Sequence, residues 1–126
     1  MLDAVIKELA QGKNFGTISV LLPSGQISTN VRWVDADDEH VLINTEVHRL
    51  KFKAVEANPN VTVVVWGENP YSYAEVRGRV VETVRGAEAR DHIDALSRKY
   101  TGGDYANPIT SERVILKIAP DFQHSR

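Results

Sequence analysis

Residues 61–85 read VTVVVWGENPYSYAEVRGRVVETVR, and this stretch decides the fold. Val61 to Trp66 is almost wholly apolar, which is typical of a buried strand. A Gly-Glu-Asn-Pro segment then turns the chain. Ser72 to Arg85 is long enough for an extended strand, in which Gly78 or the pair Val80-Val81 is expected to carry a β-bulge. The pattern predicts two successive strands joined by a turn.

The flanking sequence predicts four more strands and three helices. The strands are expected at Phe15–Leu22, Gln26–Asp35, Val41–Asn44 and Glu112–Ala119, with a polar turn at 35–39, a loop at 101–111 and Pro120 as the final stop. The helices are expected at residues 2–11, Thr45–Ala57 and Ala87–Lys99. Strands joined mostly by hairpins form an antiparallel sheet, and a long sheet in a short chain tends to curl and close. We therefore expect one mainly-β domain over residues 1–126, with six strands and flanking helices.

The composition excludes several classes of function. The chain has 126 residues, no cysteine and a net charge of −2. Disulfides, thiolate metal sites and a cysteine nucleophile are thereby excluded, and a cytoplasmic location is expected. No apolar run is long enough to span a membrane, and the charge balance does not favour nucleic acid. No GxGxxG or Walker motif is present, and the four histidines lack metal-ligand spacing, so no metal site is expected.

The most informative motif is NTEVHRLKFK at residues 44–53. It places Arg49, Lys51 and Lys53 in the first turns of the predicted helix, with Thr45 as its N-cap. Cations are disfavoured at a helix N-terminus unless an anion lies nearby. Free backbone N–H groups would add further donors, so the segment suits a phosphate group. The alternative is a solvated helix face on which Glu46 pairs with Arg49.

Taken together, these motifs resemble the split barrels of the pyridoxamine-phosphate-oxidase-like family. Thr45, the three basic residues and Asn58-Pro59 before a Val-rich strand resemble the family's phosphate-binding segment. The segments GQIS to WVD, PYSYAEVRG, DALSRKYTG and the closing strand from Val114 also resemble family elements, in order and spacing, so the similarity covers nearly the whole chain. The family's long basic C-terminal motif is missing, so vitamin B6 oxidation is not expected.

The resemblance implies a homodimeric split barrel with cofactor sites between the subunits. Within the family, the chain looks most like the branch that uses the deazaflavin coenzyme F-420 rather than FMN. Arg49 and Lys51 would then meet the cofactor phosphate with Lys53 nearby, and Asn44 and Thr45 would flank the ring and ribityl chain. The second strand would lie against the ring, which adds Ser28, Asn30, Arg32 and Trp33 to the implied site.

Several of these residues also have a purely structural interpretation. Trp33 either stacks on a flavin-like ring or packs in the core, and Asn30 and Arg32 either reach a ligand or form the wet side of a strand. Trp66 fits the core or a dimer interface better than a ligand. Tyr71 or Tyr73 could donate a proton, but each is also a plain aromatic anchor. No catalytic residue is assigned.

Three functions remain open. The first is hydride transfer between reduced coenzyme F-420 and a small, partly apolar organic substrate with an activated double bond. The second is an FMN-dependent oxidase or reductase of the same fold. The third is a non-catalytic protein that carries the cofactor or haem.

Overall fold

The computed structural model describes residues 1–126 as a curled, seven-stranded antiparallel sheet with three helices. The sheet order is β2-β1-β5-β6-β7-β4-β3, and every strand pair is antiparallel. The strands are β1 (Phe15–Leu21), β2 (Ile27–Trp33), β3 (Asp35–Ala36), β4 (Val41–Glu46), β5 (Asn60–Trp66), β6 (Tyr73–Arg85) and β7 (Arg113–Ser125). The helices are α1 (Ala4–Gln11), α2 (Leu50–Ala57) and α3 (Ala87–Thr101). This is the mainly-β split barrel that the sequence predicted.

The prediction of six strands was wrong by one, because residues 35–36 form a short strand instead of a turn. Asp35 and Ala36 pair with Leu42 and Val41. The side chain of Asp37 accepts hydrogen bonds from the backbone N–H groups of Glu39 and His40, at 2.8 and 2.6 Å. These bonds confine the turn to residues 37–40, so the two preceding residues are free to pair.

The main core lies inside the curled sheet. It includes alternate residues of six strands, among them Ile18, Val63 and Leu116, together with one face each of α1 and α2. Helix α3 packs separately, through one small cluster with Leu42 and Ile115 and another with Trp33. No helix is both long and apolar enough to cross a membrane.

Strand β2 forms one edge of the sheet and contributes nothing to the core. Its pairing with β1 sets Asn30 opposite Ile18 and Ser28 opposite Val20, so the polar residues of β2 lie on the inner face. Ile27 and Val31 lie on the outer face and are 72% and 62% exposed. The polar residues of β2 thus face inward and its apolar residues face outward, which is the reverse of the pattern that burial of apolar side chains favours.

The segment around residue 45 differs from its prediction, because β4 extends to Glu46 and α2 begins only at Leu50. Thr45 is therefore a strand residue and not the helix N-cap. The pairing of β4 with β7 explains the difference, since Thr45 and Glu46 lie opposite Val114 and Arg113 and continue the ladder.

The last strand also runs further than predicted, because β7 passes through Pro120 and ends at Ser125. Its pairing with β4 ends at Ile118, so beyond that point it is bonded only to β6. Pro120 lies opposite Gly78, beside a register shift at Arg77/Gly78. A proline lacks an N–H donor, but it is tolerated at an edge and at a bulge.

Both predicted bulge positions are confirmed, with register shifts at Arg77/Gly78 and at Val80/Glu82. Gly78 is required by close approach, since a Cβ atom at this position would lie 2.1 Å from the carbonyl oxygen of Ala119. Backbone cannot move aside as a flexible side chain can.

We therefore expect Gly78→Ala to lower the free energy of unfolding by about 1–3 kcal/mol, the usual effect of overpacking. Gly103→Ala is the control, because a Cβ atom there meets nothing within 4 Å. Urea denaturation of both variants measures the difference. Equal midpoints for the two variants would contradict the close approach.

Candidate functional site

A cleft of about 290 Å³ opens where the edge strand β2 approaches β4, beside α3 and the loop that follows it. Half of its lining is apolar or aromatic and half is polar or basic. The first half comprises Phe15, Val31, Trp33, Ile93 and Tyr105, and the second comprises Arg32, Asn44, Arg49, Asn107 and Arg113. Such a lining suits a ligand that combines a planar apolar part with negative charge.

The aromatic part of the lining is rigid. The Trp33 ring stacks on Tyr100 with centroids 5.3 Å apart and planes 6° from parallel, and Tyr105 meets it edge-on at 6.2 Å. Tyr100 is fixed in turn, because its hydroxyl accepts a hydrogen bond from the N–H of Val34 at 3.1 Å and donates to the carbonyl of Asn14. Trp33 therefore packs in an aromatic cluster and lines the cleft as well.

Four cations lie together at the polar part of the cleft, namely Arg32, Arg49, Lys51 and Arg113. Burial, with the charges of Arg32 and Arg49, lowers the pKa of Lys51 from 10.5 to about 8. Burial and the charges of Arg49 and Arg113 likewise lower the pKa of Arg32. The Nε atom of Arg32 is buried and has no hydrogen-bond partner. A buried donor without a partner costs free energy, and an anion in the cleft would remove that cost.

Glu46 is the only carboxylate that pairs with this cluster, and among the four cations its only partner is Arg113, at 3.4 Å. It also accepts hydrogen bonds from Thr110 and Ser111, at 3.2 and 3.3 Å. Burial by itself would raise the pKa of Glu46, but the hydrogen bond from Thr110 and the charge of Arg113 hold it below its usual value. One fixed negative charge thus faces four positive ones, and Arg32, Arg49 and Lys51 have no carboxylate partner.

The start of α2 explains why Lys51 is buried whereas Lys53 is exposed. Arg49 precedes the helix, and its N–H donates to the carbonyl of Glu46 at 3.1 Å. Lys51 is only 5% exposed, and its Nζ donates to Oδ1 of Asn30 at 2.8 Å. Helical residues two apart point about 200° apart around the axis, so Lys53 is directed to solvent.

The structure brings together six of the nine residues that the sequence and the resemblance selected. Arg32, Trp33, Asn44 and Arg49 line the cleft, and the hydrogen-bonded pair Asn30–Lys51 lies at its basic edge. The other three lie elsewhere: Ser28 is further along β2, Thr45 is on the opposite face of β4 with its buried Oγ1 unpartnered, and Lys53 is exposed.

Sequence reasoning missed several lining residues, of which Arg113 is the most important. It follows a loop at the start of β7, and nothing in the local sequence links it to residues 44–49. Tyr105 and Asn107 belong to the segment assigned only as a loop. Neither Tyr71 nor Tyr73 lines the cleft.

Comparison with protein families agrees with this architecture. The family model described as pyridoxamine 5'-phosphate oxidase matches residues 2–122, which is almost the entire chain. No curated protein matches the sequence.

Solved structures with the same fold extend the comparison. A protein described as an F-420 reductase is 26% identical, with a TM-score of 0.83 and 98% of each chain covered. A conserved hypothetical protein from Mycobacterium tuberculosis is 21% identical, with a TM-score of 0.73, covering 99% of this chain and 84% of that one. General Stress Protein 26 from Bacillus anthracis is 20% identical, with a TM-score of 0.70, covering 95% and 89%. The last two likenesses establish the fold alone.

The lowered pKa of Lys51 predicts a specific dependence of stability on pH. Between about pH 8 and pH 10.5 the unfolded chain holds a proton on Lys51 that the folded chain has lost. Stability rises with pH wherever the unfolded state binds more protons. The free energy of unfolding of the wild type should therefore rise across this window relative to that of Lys51→Met.

Denaturant unfolding at several pH values measures this difference. Lys53→Met is the matched control, because Lys53 is exposed, and its difference from the wild type should stay flat. A flat difference for Lys51→Met as well would contradict the burial of the Lys51 ammonium group.

Proposed function

The chain belongs to the pyridoxamine 5'-phosphate oxidase family, and from this premise we propose that it is an oxidoreductase that works through a flavin or deazaflavin bound in the cleft. The cofactor that we favour is reduced coenzyme F-420, with FMN as the alternative. The substrate is a small, partly apolar organic molecule with an activated double bond. The likeness to an F-420 reductase over 98% of both chains supports this choice of cofactor.

The observation that carries the proposal is the unneutralised charge of Arg32, Arg49 and Lys51. These cations repel one another, and the buried Nε of Arg32 lacks an acceptor. A phosphate group supplies both the missing charge and the missing acceptor. The residues present therefore fit the phosphate-bearing chain of either cofactor.

Each basic group would hold the phosphate in its own way. The guanidinium of Arg49 offers a planar fork that can bond two phosphate oxygens at once, whereas Lys51 acts as a compact point charge. Because Asn30 anchors the Lys51 ammonium at 2.8 Å, the charge is already in place before the ligand arrives. Preorganisation of this kind lowers the entropic cost of binding.

The aromatic lining would position the planar part of the ligand. Phe15, Trp33 and Tyr105 form an apolar surface next to the basic cluster, so a ring bound there would be kept from water. When bound, the cofactor supplies the hydride chemistry, and the protein supplies position and electrostatics. The substrate carbon must be held about 3–3.5 Å from the donor atom, and a rigid aromatic surface under the ring would keep the donor atom in place.

Binding measurements test the proposed role of the cations. We expect Arg49→Ala and Lys51→Ala each to weaken binding of F-420 by about 1–3 kcal/mol, the range for hydrogen bonds to a charged group. Fluorescence titration gives the dissociation constants, and parallel titration with FMN distinguishes the two cofactors. Lys53→Ala removes the same charge from the exposed side of α2 and should leave affinity nearly unchanged.

The outcomes separate the candidate functions. Equal affinities for all three variants would reject the phosphate assignment. With the wild type, tight F-420 binding followed by loss of the reduced-cofactor absorbance on addition of enones supports the reductase. Tight binding with no turnover on a panel of enones, quinones and tetrapyrroles would favour the non-catalytic carrier.

We also propose that the protein is a homodimer joined through the outer face of β1, β2 and β5. Phe15, Leu21, Ile27 and Val31 are exposed there by 46, 38, 72 and 62%. Exposed large apolar side chains that share one face of a sheet are typical of a protein interface. Phe15 and Val31 also line the cleft, so a second subunit on this face would cover one side of a bound cofactor.

Ile27→Asp tests the dimer away from the cleft, because Ile27 pairs with Leu21 at the far end of β2. We expect this variant to shift the protein to monomer in light scattering coupled to size exclusion, because a charge would be buried in an apolar interface. Val81→Asp is the control, since Val81 is 46% exposed but lies on β6. A wild type that remains monomeric with cofactor bound would overturn the dimer.

A further inference from the structure

Arg113 differs from the other cations of the cleft because its position is fixed by buried hydrogen bonds. It is 6% exposed and lines the cleft. Its Nε donates to Oδ1 of Asn44 at 2.8 Å, and its Nη1 donates to Glu46 at 3.4 Å. The Nη2 group makes no hydrogen bond within the protein. Since guanidinium has five donors in a fixed plane, anchoring Nε and Nη1 determines where the remaining donors point.

Asn44 can accept from Arg113 in only one orientation of its side-chain amide. Its Nδ2 donates to the carbonyl of Ala89 at 3.0 Å and lies 3.1 Å from Nδ1 of His92. A flipped amide would set its oxygen against the Ala89 carbonyl and its NH₂ against the Nε–H of Arg113. The two contacts from α3 therefore decide that the oxygen faces Arg113.

His92 continues the chain of hydrogen bonds to β3. Because Nδ1 faces the NH₂ of Asn44, it must accept, and the ring proton then lies on Nε2. That proton is donated to Oδ2 of Asp35 at 3.1 Å. Burial alone would raise the pKa of Asp35, but the hydrogen bond from His92 and one from its neighbouring backbone hold it below its usual value. Asp35 is thus an ionised acceptor that fixes the tautomer.

We infer that Arg113 is a second anion-binding residue of the cleft, and that the hydrogen-bond relay Asp35–His92–Asn44 fixes the orientation of its guanidinium group. The inference deepens the proposed function, since the group that it binds belongs to the same ligand. Lys51 and Arg113 are held from different strands, since Lys51 donates to Asn30 on β2 and Arg113 donates to Asn44 on β4.

Two separately anchored cations, Lys51 and Arg113, therefore belong to the basic part of the cleft. A ligand that uses both carries a second polar oxygen or negative group beyond its phosphate. His92 and Asp35 do not themselves line the cleft, and they are positioning residues.

Two substitutions of His92 separate positioning from folding. His92→Asn keeps an acceptor where Nδ1 lies and so can still receive the hydrogen bond from Asn44, but it loses Asp35. His92→Gln keeps a donor near the Nε2 position and loses the acceptor. Helix propensity favours Gln over Asn inside α3, so a merely structural role predicts that the Gln variant is the better behaved. If the relay orients Arg113, the Asn variant should instead bind the ligand more tightly than the Gln variant.

The first measurement is titration of each variant with FMN and with F-420. We expect His92→Gln to weaken binding about 10-fold or more, in line with the loss of an aligned charge-assisted hydrogen bond, and His92→Asn to stay near the wild type. Equal affinities for the two variants, or weaker binding by His92→Asn, would overturn the inference. Arg113→Gln is less informative, because it strands the buried Glu46 carboxylate.

The second measurement needs no cofactor. Nitrogen-15 NMR of the free wild type should show His92 as the Nε2–H tautomer, and added pyrophosphate should shift the Arg113 side-chain resonances. This shift should be kept in His92→Asn and lost in His92→Gln. If the wild type binds neither FMN nor F-420, the proposed function fails, but the pyrophosphate result still decides the inference. The other tautomer, or an Arg113 signal that pyrophosphate leaves unmoved, would contradict it.

Discussion

Mutual repulsion among buried and half-buried cations is the constraint on which the rest of the site depends. Arg32, Arg49 and Lys51 lie together without a carboxylate partner, and the pKa of Lys51 is lowered to about 8 as a result of burial and of its neighbours' charges. Unpaired charge that is removed from water opposes folding, so the rest of the structure must contribute enough stability to offset that cost. The extensive antiparallel sheet and its continuous core contribute that stability. A cluster of like charges that opposes folding is characteristic of functional sites, where a sequence departs from what stability alone would favour.

The split in the barrel is what places these charges next to an aromatic surface. Strand β2 is an edge strand whose polar face turns inward, and this carries Asn30 and Arg32 toward α2. The same strand holds Trp33 against Tyr100 of α3. A fully closed barrel would bury these residues among apolar neighbours. The open edge instead gives a cleft with a basic part and an aromatic part.

The sequence was sufficient for the parts of the fold that are encoded locally. The apolar run before Trp66 and the glycine at position 78 predicted the central strands and the bulge, because alternation and turn chemistry are properties of neighbouring residues. The helix start near residue 45 was wrong because pairing with β7, a contact across about 70 residues, extends β4 instead. Arg113 and Tyr105 were missed for the same reason. Periodicity cannot reveal that a late strand and a late loop return to the second and fourth strands.

A crystal structure of the protein with F-420 or FMN bound tests the central claim most directly. We predict phosphate oxygens within about 2.7–3.2 Å of Arg49 and Lys51, with the ring system beside Trp33 and Tyr105. A phosphate held elsewhere, with the side chains of Arg32, Arg49 and Lys51 turned away from the ligand, would contradict it.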